Sequence, residues 1–144
     1  MTRRACVVGW PVKHSRSPVI HRFWLEEYGI DGDYVIQPVE PEKIAAFFDG
    51  FADSGYVGCN VTVPHKQAAF AAVAEMDRAA REIGALNTIW LDGRRLVGAN
   101  TDAPGFLASL DQEIPGWSAG AGPAVVLGAG GAARAIVWAL TQRG

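Results

Sequence analysis

The sequence predicts an α/β fold: a mainly parallel sheet covered by helices, followed by the start of a second α/β unit. Three observations carry this. Short apolar, strand-like runs alternate with segments whose apolar residues recur at helical spacing, the order that builds parallel sheets. Residues 114–123, "IPGWSAGAGP", are rich in glycine and proline and read as a connection. Beyond them "AVVLGAGGAARAIVWAL" reads as strand, glycine turn and helix.

Each element has a local reason. "ACVVG" (5–9) is a short buried strand, and "WPVKHSRS" (10–17) is a loop. Ser17 is expected to cap a helix, with Pro18 in its first turn and Gly29 stopping it after Tyr28. "DYVIQPV" (33–39) alternates as a strand does. Pro41 opens a second helix carrying Ile44, Phe47, Phe48 and Phe51. "VGCNVTV" (57–63) is a third strand, followed after Pro64 by a short helix, and another helix spans about Asp77 to Ile83. "NTIWL" and "RLVGA" flank Asp92-Gly93, a two-residue hairpin turn, and Pro104 opens a helix to about Leu110. Residues 1–103 therefore read as one α/β domain and 104–144 as a linking helix plus the first βα unit of another.

Composition narrows the partners. Hydrophobic residues make 49% of the chain and charged residues 19%, a globular rather than a disordered balance. A net charge of −2 and a pI near 5.9 disfavour nucleic acid or an anionic membrane, both of which select a basic face. Nothing approaches 18 consecutive apolar residues, and Met1-Thr2-Arg3-Arg4 leads into a strand-like run rather than a signal peptide's apolar core. Cys6 and Cys59 both sit in strand-like runs and read as core thiols of a reducing compartment, so a cytoplasmic location is expected. His14, His21 and His65 lack metal-ligand spacing, and no metal is expected.

The glycine turn is the first chemical signal. Gly128 and Gly130 form G-x-G, with Ala133 at the third small position. Glycines let the backbone approach a pyrophosphate, and the N–H groups opening the next helix attract its charge. The acidic or basic residue that reads the ribose normally lies about 20 residues further on. The chain is therefore expected to be a fragment of a longer enzyme.

Lys66 is the second signal. It is one of three lysines among 13 basic residues, and it directly follows a buried-looking strand. Together "GWPVKHSRSP" (9–18), "GCNVTVPHK" (58–66), "IGALNTI" (83–89), "GANTDAPGF" (98–106) and "VLGAGGAARA" (126–135) resemble the shikimate dehydrogenase family in order and spacing. Where that family often has asparagine after the histidine of the first helix, this chain has Arg22.

The resemblance implies a substrate domain followed by a Rossmann domain, with the active site in the cleft between them. It implies NADP-dependent, reversible reduction of 3-dehydroshikimate to shikimate, on the path to aromatic amino acids. Lys66 then faces the reacting oxygen, as proton donor and acceptor or as a stabilising cation, and Asp102 pairs with it and binds a substrate hydroxyl. Ser15 and Ser17 match the carboxylate-binding serines; Asn60, Thr62 and Asn87 match the hydroxyl-reading set. Gly128, Ala129, Gly130, Gly131 and Ala132 match the cofactor turn, with Asp77 near the cofactor. Quinate as substrate, NAD as cofactor, and a non-catalytic binding module stay open as alternatives. So does a homodimer.

Overall fold

The computed structural model describes residues 2–120 and 122–144. Six strands form one sheet in the order β2-β1-β3-β5-β6-β4: β1 Arg3–Gly9, β2 Gly32–Pro38, β3 Tyr56–Val61, β4 Glu75–Met76, β5 Thr88–Asp92 and β6 Arg95–Ala99. β1 runs parallel to β2 and β3, and β4 parallel to β6. β5 is antiparallel to both of its neighbours. The mainly parallel sheet expected from the β/α alternation is present.

The two faces follow the period-2 alternation of strand side chains. Cys6, Val8, Cys59, Val61 and Ile89 face one side, where α2 (Ile44–Asp49), α3 (Lys66–Ala72) and α4 (Arg78–Ile83) contribute Ile44, Phe48, Ala69 and Ala80. Phe51, in the 3₁₀ turn after α2, is fully buried there against the rings of Phe47 and Tyr56. Cys6 and Cys59 are register partners and free thiols. The Cys6 thiol beside it, and then burial, push the Cys59 thiol up, away from the reactive thiolate form. On the opposite face Val7, Val12 and Tyr34 are buried under α1 (Ser17–Glu27). A third cluster joins Ile83 and Ala85 to Ala103, Ala135 and Ala139, packing α5 (Asp102–Glu113) and α6 (Gly131–Thr141) beside α4.

Four expected details differ. Ser17 does not cap α1: the Ser15 hydroxyl instead accepts the Ser17 N–H at 3.3 Å, and Ser17 is the first helical residue. The hairpin turn is Gly93-Arg94, because Asp92 pairs with Arg95. Gly93 has φ +62° and Arg94 does not share it, the pattern of a type II′ turn with glycine first. α5 starts at Asp102, before Pro104, because Asn100 caps it from two residues upstream. Residues 124–127 form no strand. Among the described residues no strand lies beside them to pair with, and Val125 and Leu127 are exposed.

Phe51 has no solvent contact to fall back on, so Phe51→Ala opens a cavity in the main core. Unfolding in urea is expected to show a loss of about 3–5 kcal/mol.

Candidate active site

The segments that carry the expected substrate-site residues leave the sheet at one edge. The loop after β1 holds Ser15, the link after β3 holds Thr62 and Lys66, and the link after β6 holds Asn100 to Asp102. β5 is antiparallel, so Asn87, which precedes it, arrives at that same edge. The chain passes from β1 outward to β2 and then crosses to β3 on β1's other side. The loops after β1 and β3 therefore part at a crevice outside the carboxyl ends of the strands, where open α/β sheets bind ligands.

Lys66 is fixed by its backbone before its side chain. The His65 N–H donates to Thr62 O at 2.9 Å, and the His65 ring is buried with Nε2 2.7 Å from Val39 O. Lys66 O accepts from Leu86 N at 3.3 Å. The Lys66 ammonium donates to Asp102 Oδ2, joining residues 36 positions apart. Both groups keep a little solvent contact, with side-chain exposures of 12% for Lys66 and 29% for Asp102. Asn100, 1% exposed, holds the other end: its Oδ1 accepts from Asp102 N at 3.1 Å and Ala103 N at 3.2 Å, and its Nδ2 donates to Ala85 O at 2.9 Å.

Asn87 ties the pair to the sheet. Its Nδ2 donates to Asp102 Oδ1 and to Thr101 Oγ1, each at 2.8 Å, while its Oδ1 accepts from Thr101 N at 2.8 Å. Asn60 joins through Thr88, whose Oγ1 accepts from Asn60 Nδ2 at 3.2 Å and donates to Asn87 Oδ1 at 3.2 Å. Lys66, Asp102, Asn87 and Asn60 thus form one hydrogen-bonded group. A hollow of about 490 Å³ between α1 and the sheet adjoins it, lined by His21, Trp24, Tyr34, Asn60 and Thr88 among others.

The remaining expected residues stand apart from that group. Ser15 and Ser17 pair with each other at the mouth of α1. Thr62 turns its methyl toward Gly9, where an added Cβ would meet it at 2.5 Å, and its hydroxyl has no partner among the described residues. Asp77 Oδ1 caps α4 through Ala80 N at 2.7 Å and also accepts Asn100 N at 3.3 Å. Those contacts are scaffold, one step behind Asp102.

The glycine turn lies against the same site. Gly128 has φ +125°, a conformation that glycine adopts without strain, and the N-terminus of α6 carries no side-chain cap. A Cβ on Gly130 would meet nothing within 4 Å, whereas one on Gly131 would stand 3.1 Å from Lys66 Cβ. Open, donor-rich backbone of this kind fits a phosphate. A cavity of about 540 Å³ beside it is lined by Glu82, Gly128, Ala129, Ala133 and Arg134 among others.

Sequence reasoning missed Asn100, Thr88 and Thr101. "GANTD" held the signal for Asn100, since asparagine two residues before a helix start is a capping pattern. Nothing local marked Thr88 or Thr101, which matter only because β5 and β6 pair.

The fold and this edge define an α/β domain with an ammonium–carboxylate pair at its crevice. Residues 7–89 match the family described as shikimate dehydrogenase substrate binding domain. Over 142 residues the chain is 55% identical to shikimate dehydrogenase (NADP(+)) of Azorhizobium caulinodans and 56% identical to that of Brucella abortus. These alignments take in 99% of this chain and 50% and 49% of the relatives, so the chain spans about half the length of the curated relatives it matches. The crystal structure of shikimate 5-dehydrogenase from Thermus thermophilus in complex with NADP(H) and shikimate superposes with a TM-score of 0.89 at 42% identity, covering 99% of this chain and 53% of that one. The chain belongs to the shikimate dehydrogenase family.

Asn100→Ala removes the acceptor for two helix-end N–H groups. It is expected to cost about 0.5–2 kcal/mol in thermal or urea unfolding.

Proposed function

We propose that this chain is the substrate domain and first cofactor-binding unit of an NADP-dependent shikimate dehydrogenase acting in the cytoplasm, divided as 1–103 and 104–144. The reaction is the reversible reduction of 3-dehydroshikimate to shikimate. The observation that carries the reading is the Lys66–Asp102 pair at the crevice, held by Asn87. The names of the relatives support the substrate and the cofactor.

In this reading the substrate carboxylate meets Ser15 and Ser17, near the mouth of α1, where helix N–H groups favour an anion. Asn60, Thr62 and Asn87 read the ring hydroxyls. Short amide and hydroxyl side chains suit that task because they donate and accept. Asp102 accepts a hydrogen bond from the hydroxyl next to the reacting carbon. The Lys66 ammonium lies against the carbonyl oxygen, stabilises negative charge as it develops there and supplies the proton that completes the alcohol. In the oxidative direction the neutral amine takes that proton back.

Gly128, Ala129, Gly130, Gly131 and Ala132 would hold the dinucleotide's phosphates. When bound, the dinucleotide exchanges a hydride with the ring carbon. Asp77 serves the site indirectly, by holding Asn100.

Turnover is assayed in the protein extended over the length of its relatives, with shikimate and quinate, each with NADP and NAD. Shikimate with NADP is expected to be the preferred pair; a preference for quinate, or no turnover with any pair, overturns the reading. Lys66→Ala is expected to lower kcat by about 10²–10⁴-fold while leaving the unfolding temperature within a few degrees. Near-normal kcat removes Lys66 from the chemistry.

A further inference from the structure

The hydrogen bonds of the site have a fixed direction, and following them backward from the ion pair leads to a buried phenol. Asp102's carboxylate accepts only, so Asn87 must turn its Nδ2 toward it; Thr101 N donates only, so Asn87 must turn its Oδ1 toward that group. The Thr88 hydroxyl has one proton, which goes to that Oδ1 or to the Thr101 hydroxyl 3.3 Å away, and it is left to accept from Asn60. Asn87's backbone carbonyl, 3.4 Å from Asn60 Nδ2, also accepts only. Both contacts demand the amide end of Asn60 on that side. Its Oδ1 is therefore turned the other way, and there the Tyr34 hydroxyl lies at 2.6 Å.

We propose that Tyr34 is a positioning residue for substrate recognition: by donating to Asn60 Oδ1 it fixes the orientation of the Asn60 amide at the crevice, with Nδ2 held on Thr88 and the Asn87 carbonyl. The proposal rests on the substrate role given above to Asn60.

Two features hold Tyr34 to this task. The residue is 4% exposed and its ring is stacked on His21, with ring centroids 4.0 Å apart and planes 6° apart, so it cannot swing aside. Burial also pushes its hydroxyl pKa well up, so the group stays protonated and able to donate throughout the working pH range. Tyr34 on β2 and Asn60 on β3 lie two strands apart, with β1 between them, so the bond spans the sheet face over β1. Ala5 is the β1 residue in register with Tyr34, and its small side chain leaves that path open. Without the hydroxyl, Asn60 Oδ1 loses its donor, and the orientation of the amide rests on Thr88 and the Asn87 carbonyl alone.

The test pairs a ligand-free readout with a binding one. In the wild-type chain, nuclear Overhauser contacts of the Asn60 side-chain amide protons are expected to run to Thr88 and not to the Tyr34 ring. Contacts to the ring overturn the proposal, and this measurement needs no variant to fold. Tyr34→Phe keeps the ring and removes the donor. Shikimate titrated calorimetrically into it is expected to bind roughly three- to tenfold more weakly than into wild type. In the Asn60→Ala background the same change is expected to have no further effect. An equal loss in both backgrounds would show that Tyr34 acts on the fold rather than through Asn60. Unchanged affinity in Tyr34→Phe would also overturn the proposal. Failure of the wild-type chain to bind shikimate at all would tell against the proposed function instead, with the amide contacts still deciding the role of Tyr34.

Discussion

The structure at the crevice depends on keeping one ammonium and one carboxylate together where water is scarce. Lys66 and Asp102 gain little net stability from meeting, because removing two charges from water costs about as much as their attraction returns. What the pair provides is definition. A half-buried carboxylate needs its lone pairs filled, and Asp102 fills them from Lys66 on one oxygen and Asn87 on the other. Each donor is in turn fixed by backbone: Asn87 by Thr101 N, and Lys66 by the turn that His65 anchors to Val39. The charges are affordable only in this arrangement, so the arrangement is narrow.

That geometry requires an exception in the sheet. In a wholly parallel sheet every residue preceding a strand lies at the far edge from the residues that follow strands. Lys66 and Asp102 follow β3 and β6, and Asn87 precedes β5. The reversal of β5 between two strands of the opposite direction brings Asn87 to the carboxyl edge. The tight Gly93-Arg94 turn then returns the chain so that β6 ends beside it and delivers Asn100, Thr101 and Asp102 within reach. The hairpin is thus as much a part of the site as the side chains are.

Much of this was legible in the sequence, and the parts that were not have physical reasons. The strands β1, β2, β3, β5 and β6 announce themselves because each is a short apolar run bounded by turn residues. Lys66 and Asp102 were legible through motif and rarity. The hairpin turn was misplaced by one residue because Asp-Gly favours one turn type locally, whereas the cross-strand pairing of Asp92 with Arg95 selects another. The strand at 124–127 was a correct local propensity without a partner to satisfy it. Ser17 looked like a cap because serine before proline usually is one, yet the loop carries Ser15 into the accepting role. Asn100 carried a local signal, its place two residues before a helix start, whereas Thr88 and Tyr34 were invisible for a common reason. Each acts on Asn60, distant in sequence, and hydrogen-bond direction exists only once the strands are paired.

The glycine turn shows the same dependence on assembly. Read alone, its glycines concern a phosphate. In the folded chain Gly131 also meets the stem of Lys66 and the methyl of Ala85: a Cβ there would stand 3.1 and 3.2 Å from two carbons of the lysine and 3.4 Å from Ala85 Cβ. Lys66 cannot retreat from such a group without loosening its hold on Asp102, since Cβ moves only with the backbone that His65 and Leu86 fix. The alternative is for α6 to shift outward, which would separate Ala135 and Ala139 from Ile83, Ala85 and Ala103. The absent side chain at position 131 lets the backbone rest on the lysine, and under the proposed function it would also let that backbone approach a phosphate. Under the proposed function, the turn that would hold the dinucleotide and the side chain that would move a proton lie side by side, and their separation is set by packing rather than by a flexible linker.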